Sequence, residues 1–152
     1  MSGYLRTVHF QDTDSAGVVF FAQILAFCHE AYEAALATAG FNLPEFFSDR
    51  GAVIMPITAT QAQFYRPILC GDRLLIKFRV EQPSSTGFVL HYQICQHSDP
   101  SRPIAQASTT HICLDTQTRS PLPLPYSLQT WVDQGVMGLL PCAPNLCYPD
   151  PR

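Results

Sequence analysis

Residues 20–40 read FFAQILAFCHEAYEAALATAG, and the architecture turns on how they pack. Ala22, Leu25, Ala26, His29, Tyr32, Glu33, Leu36 and Ala37 recur at helical spacing on one side, and Ile24, Phe27, Cys28, Ala31, Ala35 and Ala39 cover most of the rest. A helix apolar on nearly every side is expected to be buried. Gly40 suits the left-handed position that closes a helix. Upstream, Tyr4 to Phe10 alternate as a short strand, with Tyr4, Arg6, Val8 and Phe10 on one face and Leu5, Thr7 and His9 on the other. Between strand and helix lies Gln11-Asp12-Thr13-Asp14-Ser15-Ala16-Gly17, a run of turn and cap formers.

Downstream the hydrophobic period changes to two. A loop over 41–51 containing Pro44 precedes an extended stretch, 52–65, whose Pro56 demands a bulge or an edge position. After a turn at 66–72, Leu74, Ile76, Phe78 and Val80 oppose Leu75, Lys77, Arg79 and Glu81, the alternation of a half-buried antiparallel strand. A second strand follows the turn at 83–87, with Phe88, Leu90, Tyr92 and Ile94 facing away from Val89, His91, Gln93 and Cys95. A third runs from Pro103 to about Leu114, after a turn at 98–101. One strand, a helix and four further strands predict an α+β domain in which one antiparallel sheet wraps around a long central helix. From Ser120 the texture alters: seven of the 13 prolines lie between Pro121 and Arg152, too dense for a long helix or a central strand. The expected division is a domain over 1–130 and a proline-rich tail over 131–152. Residues 127–134 are the one short helical piece expected in the stretch that begins at Ser120, anchored through Trp131.

Composition narrows the function classes. With 152 residues, 47% hydrophobic and 14% charged against a usual figure of roughly 25%, the chain suits one packed domain and excludes a disordered one. A net charge of −3 and a single lysine, Lys77, argue against nucleic acid, which requires a dense basic face. The longest apolar run, Ala16 to Cys28, is 13 residues, short of the roughly 20 needed to cross a bilayer. The first residues lack the basic-then-apolar pattern of a secretory signal, so a cytoplasmic protein is expected. Cys28, Cys70, Cys95 and Cys113 stand singly in apolar periodic segments and read as buried free thiols in a reducing compartment. Cys142 and Cys147 have no second Cys or His pair nearby, so a zinc site there is not expected; the expectation is a chain with no metal and no cofactor.

The segment 12–21 places Asp12 and Asp14 immediately before the helix, where free backbone N–H groups and the helix dipole attract negative charge. The two carboxylates can form an Asx-turn and a cap. The same placement can hold a carbonyl oxygen as it becomes an oxyanion, beside a carboxylate that attacks or activates water.

The pattern Phe10-x-Asp12-Thr13-Asp14-x-Ala16-Gly17-Val18-Val19-Phe20-Phe21, with Phe27-Cys28-His29-Glu30-Ala31-Tyr32-Glu33 and Phe64-x-x-Pro67-x-x-Cys70-Gly71-Asp72-Arg73-Leu74-Leu75, resembles hotdog-fold acyl-CoA thioesterases of the 4-hydroxybenzoyl-CoA thioesterase type over roughly residues 4–125. Within that family it is most similar to the 1,4-dihydroxy-2-naphthoyl-CoA thioesterases of cyanobacterial phylloquinone (vitamin K1) synthesis. That closer likeness rests on residues 28–33 and 70–75, Ala107-x-Thr109-x-His111-x-Cys113 and Pro121-Leu122-Pro123. The resemblance implies a hotdog fold with a five-stranded sheet, an acyl-CoA substrate, and a homodimer, paired into a homotetramer, with active sites at the subunit junction. It also implies that Asp14 is catalytic, that the Phe21 backbone N–H polarises the thioester carbonyl, and that Asp12 supports the turn. A CoA thiolate leaves readily because its thiol resembles that of cysteine, with a pKa of about 8.5, so no strong general acid is required. Attack by Asp14 to give a mixed anhydride and general-base activation of water are both open.

Other candidates carry two readings each. His29 and His111 either approach an aromatic acyl group or fill a core or interface, whereas His9, His91 and His97 read as ordinary surface or strand residues. Arg73, Arg66 and Arg102 are candidates for the CoA phosphates, Arg73 first. Phe46, Phe47, Phe64 and Tyr65 either line an aromatic pocket or pack in the core. A hydratase or dehydratase of the same fold requires an active-site histidine, which the 11–17 turn lacks. A non-catalytic acyl-CoA-binding module would lack the acid that Asp14 supplies. A thioesterase for another aromatic or short-chain acyl-CoA would differ in pocket shape alone.

Overall fold

A computed structural model of the chain describes residues 3–135. The elements run β1 (Tyr4–Thr7), α1 (Gln23–Thr38), α2 (Leu43–Phe46), β2 (Val53–Ile54), β3 (Ile57–Phe64), β4 (Arg73–Ser84), β5 (Gly87–Gln96), β6 (Asp99–Ile112), β7 (Leu114–Asp115) and α3 (Tyr126–Asp133). Five strands pair antiparallel in the order β1-β4-β5-β6-β3, and β2 pairs with β7 as a separate ribbon. The expected hotdog architecture is present: the sheet's inner face closes over α1.

Register explains the core. Ile76, Ile94 and Ala105 stand side by side across β4, β5 and β6, as do Phe78, Tyr92 and Ala107 in the next row, and every one of them is buried. Alternation sends their neighbours to the other face, so one apolar period builds one continuous inner surface. Against it α1 lays Ile24, Phe27, Cys28, Ala31, Tyr32, Ala35 and Leu36. The helix is not enclosed all round, as its composition suggested, because Ala22, Ala26, Ala37 and Ala39 on the opposite side are exposed in the protomer. Alanine favours a helix without requiring burial, so composition overstated how much of it is covered.

The proline argument holds in both its forms. Pro56 separates β2 from β3, the β3–β6 register shifts between Ile57 and Ala59, and β3 is an edge strand. Several boundaries differ from expectation: β4 runs on to Ser84, into the turn expected at 83–87, and β6 begins at Asp99, inside the turn expected at 98–101, because strand pairing continues into both hairpin ends. β1 ends at Thr7, and Phe10, expected on one strand face with Tyr4, Arg6 and Val8, is 82% exposed within a 3-10 turn over Phe10–Asp12. The 41–51 loop contains α2, started by Asn42 accepting from the Glu45 N–H at 3.2 Å with Pro44 in the first turn. The division expected at residue 130 falls inside α3, which carries Leu128, Trp131 and Val132 into the core, so the packed body continues past it. Cys142, Cys147 and the rest of the proline-rich tail beyond residue 135 lie outside the described residues. Cys28, Cys95 and Cys113 are buried free thiols, but Cys70 is exposed, because it sits at a turn beside Gly71 with φ +91°. Among the described residues, no helix is long and apolar enough to cross a membrane.

Candidate active site

The segment before α1 folds as a miniature hairpin. Asp14 N–H donates to the Val18 carbonyl at 2.8 Å, Thr13 bridges Val19, and Phe20 N–H donates to the Asp12 carbonyl at 2.8 Å. Gly17, at φ +78°, makes the reversal that an L side chain would resist. The second arm is tied to the β3–β4 connection by a Val18–Leu69 bridge and by Val19 N–H to the Ile68 carbonyl at 2.8 Å. It then runs without a break into α1.

The two aspartates divide their roles. Asp12 is 4% exposed; its carboxylate accepts from His9 N–H at 2.8 Å and from the Arg6 guanidinium at 3.0 and 3.2 Å. It is a structural anchor. Asp14 sits at the exposed tip, where Oδ1 accepts from Ala16 N–H at 2.8 Å, an Asx-turn. Its Oδ2 has no protein partner among the described residues. The turn therefore orients this carboxylate without neutralising it.

The start of α1 supplies the complementary group. Ala22 occupies the cap position with no side-chain cap, and the first helical amide bonded outward is Gln23, to the Phe20 carbonyl at 2.8 Å. The Phe21 and Ala22 amides have no protein acceptor among the described residues. Unpaired N–H groups at a helix start, aligned with the positive end of its dipole, are what a developing oxyanion needs. Asp14 and the Phe21 amide are thus joined through two hairpin rungs and one helix start.

The remaining candidates separate into two groups. His29 lies two turns into α1, about 12 Å along the axis from Phe21 at 1.5 Å per residue. Its Nδ1 meets Glu33 Oε1 at 3.2 Å, and its ring packs on Tyr32 and Phe47 at centroid distances of 5.6 and 5.5 Å. Phe46 and Phe47 belong to the same aromatic wall around Tyr32. Arg66 and Arg73 lie instead at the sheet end that carries the hairpin. Arg73 opens β4 opposite Thr7, and its carbonyl accepts from His97 N–H at 2.8 Å; Arg66 N–H donates to Ile104 at 3.3 Å, with Arg102 two residues before that acceptor. The three arginines are exposed and have no carboxylate partner among the described residues. Phe64 and Tyr65, both about half exposed, flank them at the end of β3.

Of the other histidines, His91 pairs with Glu81 at 2.7 Å on the outer face, and His9 and His97 are exposed. His111 is 2% exposed, stacked on Phe88 at 4.7 Å and in contact with Thr109 Oγ1 through Nε2 at 2.8 Å. It is a core residue. Burial, and secondarily the field of His29, push its pKa down to about 4. The residue that sequence reasoning passed over is Arg6. Its signal was available: an arginine alternating with Tyr4 and Val8 on an inward face must find buried partners.

The chain is 47% identical over 129 residues to a 1,4-dihydroxy-2-naphthoyl-CoA hydrolase of Synechococcus elongatus, an alignment that covers 85% of this chain and 93% of that one. Its fold matches a 1,4-dihydroxy-2-naphthoyl-CoA thioesterase from Synechocystis with a TM-score of 0.80 and 36% identity, covering 87% of this chain and 95% of that one. It also matches a gentisyl-coenzyme A thioesterase with a TM-score of 0.72 and 25% identity, covering 86% and 98%. The family model of the thioesterase-like superfamily matches residues 8–132, from just before the hairpin to the buried end of α3, and the chain belongs to that family.

Proposed function

We propose that the protein hydrolyses 1,4-dihydroxy-2-naphthoyl-CoA to 1,4-dihydroxy-2-naphthoate and CoA, the thioester-cleaving step of phylloquinone synthesis. The observation that carries the chemistry is the junction of the Asp14 turn with the uncapped start of α1. The thioester carbonyl accepts from the Phe21 N–H while Asp14 either attacks the acyl carbon, giving a mixed anhydride that water then hydrolyses, or takes a proton from the water that attacks it, and CoA departs as its thiolate. Only the transition state places full negative charge on that oxygen, so the helix start favours it over the bound substrate. Arg73 and Arg66 meet the CoA phosphates from the same end of the sheet, and His29 meets the naphthoyl ring of a substrate bound by a partner subunit. The working assembly is a cytoplasmic homodimer paired into a homotetramer, consistent with the exposed Phe20, Phe21 and Phe64 around the site. The 47% identity to a 1,4-dihydroxy-2-naphthoyl-CoA hydrolase supports the substrate.

A second reading, another aromatic acyl-CoA, is favoured by the likeness to a gentisyl-coenzyme A thioesterase. Turnover of a panel of aroyl- and alkyl-CoA esters separates the two, with a protein-only blank where thiols are detected. The dihydroxynaphthoyl ester is expected to give the highest kcat/KM, and a preference for gentisyl or aliphatic esters removes the substrate assignment. Asp14→Asn keeps an acceptor for Ala16 N–H, so it should fold as wild type while kcat falls roughly 10²- to 10⁴-fold. An undiminished kcat removes the mechanism.

A further inference from the structure

We infer that Arg6 is a positioning residue for the thioesterase reaction, fixing the Asp14 hairpin against the helix that supplies the oxyanion donor. The inference rests on the roles given above to Asp14 and the Phe21 amide. Arg6 lies on β1, away from the reacting atoms, yet its guanidinium touches both parts of the site. Nη1 and Nη2 form a two-pronged bond with the Asp12 carboxylate at 3.0 and 3.2 Å, and Nε donates to Glu30 Oε2, midway along α1, at 3.0 Å. Nη1 also donates to the Thr7 carbonyl, which holds the fork to its own strand. The guanidinium carbon lies over the Phe27 ring, 4.4 Å from its centroid. Tyr4 donates to the same Glu30 oxygen at 3.1 Å.

The connections form a closed circuit. Asp12 is the root of the hairpin: its carbonyl holds Phe20 N–H, one residue before the oxyanion donor, and its arm ends two residues later in Asp14. Phe20 leads into α1, α1 presents Glu30, Glu30 holds Arg6, and Arg6 returns to Asp12. Among the described residues, the other hydrogen-bonded link between hairpin and helix is a backbone one, the Gln23 N–H bond to the Phe20 carbonyl at 2.8 Å, so the guanidinium is the side-chain bridge that sets their relative orientation. A planar fork bonded on two edges allows one orientation between hairpin and helix, which a lysine ammonium, a point charge on a flexible stem, does not.

Stability alone is a poor account of this cluster. The Arg6 and Asp12 side chains are only 16% and 5% exposed, and a buried ion pair generally does no better for stability than well-packed apolar residues. The cluster also sets two carboxylates against one cation. It spends burial on geometry, and the geometry is that of the site.

The test compares Arg6→Lys, Arg6→Met, the double variant Arg6→Met/Asp12→Asn and Asp14→Asn, using the aroyl-CoA ester that wild type turns over fastest. In the double variant the deeply buried Asp12 charge is removed together with its cation, Glu30, a third exposed, keeps the Tyr4 hydroxyl as donor, the amide oxygen that replaces the Asp12 carboxylate still accepts from His9 N–H, and the methionine covers Phe27. The folded fraction, followed by the emission of the single tryptophan, is therefore expected to recover relative to Arg6→Met. The inference expects kcat per folded molecule to remain ~10²-fold below wild type in all three Arg6 variants, the scale of an ångström-size misplacement, with KM nearly unchanged. Wild-type kcat per folded molecule in the double variant or in Arg6→Lys overturns it, because Arg6 then serves folding alone. Asp14→Asn keeps the two levels apart: full activity there refutes the reading of the site, whereas an inactive Asp14→Asn beside a fully active double variant refutes only the role of Arg6.

Discussion

Acidification should weaken this fold in part through a buried histidine. His111 is held neutral in the core: its ring stacks on Phe88 at an interplanar angle of 13°, Tyr32 meets it edge-on at 5.0 Å, and Nδ1 is buried without a partner among the described residues. Its folded pKa of about 4 lies roughly 2.5 below the ordinary value of 6.5, chiefly through burial and then through His29. Between these values the unfolded chain binds a proton that the folded chain refuses, so stability falls as pH drops through that window and levels off beneath it. At about 1.36 kcal/mol per pH unit, the loss attributable to His111 is roughly 3 kcal/mol, a large part of a typical domain's stability. The assay is denaturant unfolding at fixed protomer concentration from about pH 7 to about pH 4, read by Trp131, which is buried within the same aromatic cluster. His111→Phe keeps a ring against Phe88 and removes the titration. Wild type should lose about 3 kcal/mol more than the variant across that range. Parallel curves would show that the imidazole is not kept neutral by the fold, and the reasoning would fail.

Two further outcomes follow from exposure. Arg73→Ala and Arg66→Ala should each raise KM by a few-fold, with kcat unchanged, because exposed charges contribute about 1 kcal/mol or less; the effect should shrink with added salt. Initial rates over a salt series check this, and a fall in kcat instead would place these arginines outside CoA binding. Cys70 should react with a maleimide in the native protein, whereas Cys28, whose thiol burial pushes far up, should react only after unfolding. Mass spectrometry of Cys70→Ser, which should lose one fast-labelled site, reads the outcome.

The hairpin shows how much of the site was legible in residue order. Asp14, Gly17 and the run of apolar residues beginning at Val18 mark a turn entering a helix, and turn chemistry is local: Asp14 Oδ1 finds its donor two residues away. The cap that Asp12 and Asp14 could have formed is not found on α1, whose cap position is Ala22, eight residues past Asp14, with no side-chain cap. Asp12 was harder to read, because what makes it an anchor rather than a second catalytic acid is Arg6, on another element. The aromatic candidates were equally open in the sequence: Phe46 and Phe47 join the wall around Tyr32, while Phe64 and Tyr65 are about half exposed at the end of β3, and nothing in their spacing separates the two groups.

Periodicity was enough to establish a single sheet wrapped on a long helix, the inward residues of β4 and β5, and the carboxylate turn before α1, since each depends on neighbours within a few residues. The order β1-β4-β5-β6-β3 and the pairing of β2 with β7 depended on contacts between segments tens of residues apart. So did the entry of Trp131 into the core and the exposure of one side of α1. The Arg6 bridge between Asp12 and Glu30 spans 24 residues at one of its ends, and such a contact exists only once the sheet has closed on the helix. Local propensity has no access to that event, because the free energy that selects among distant partners comes from burying both at once.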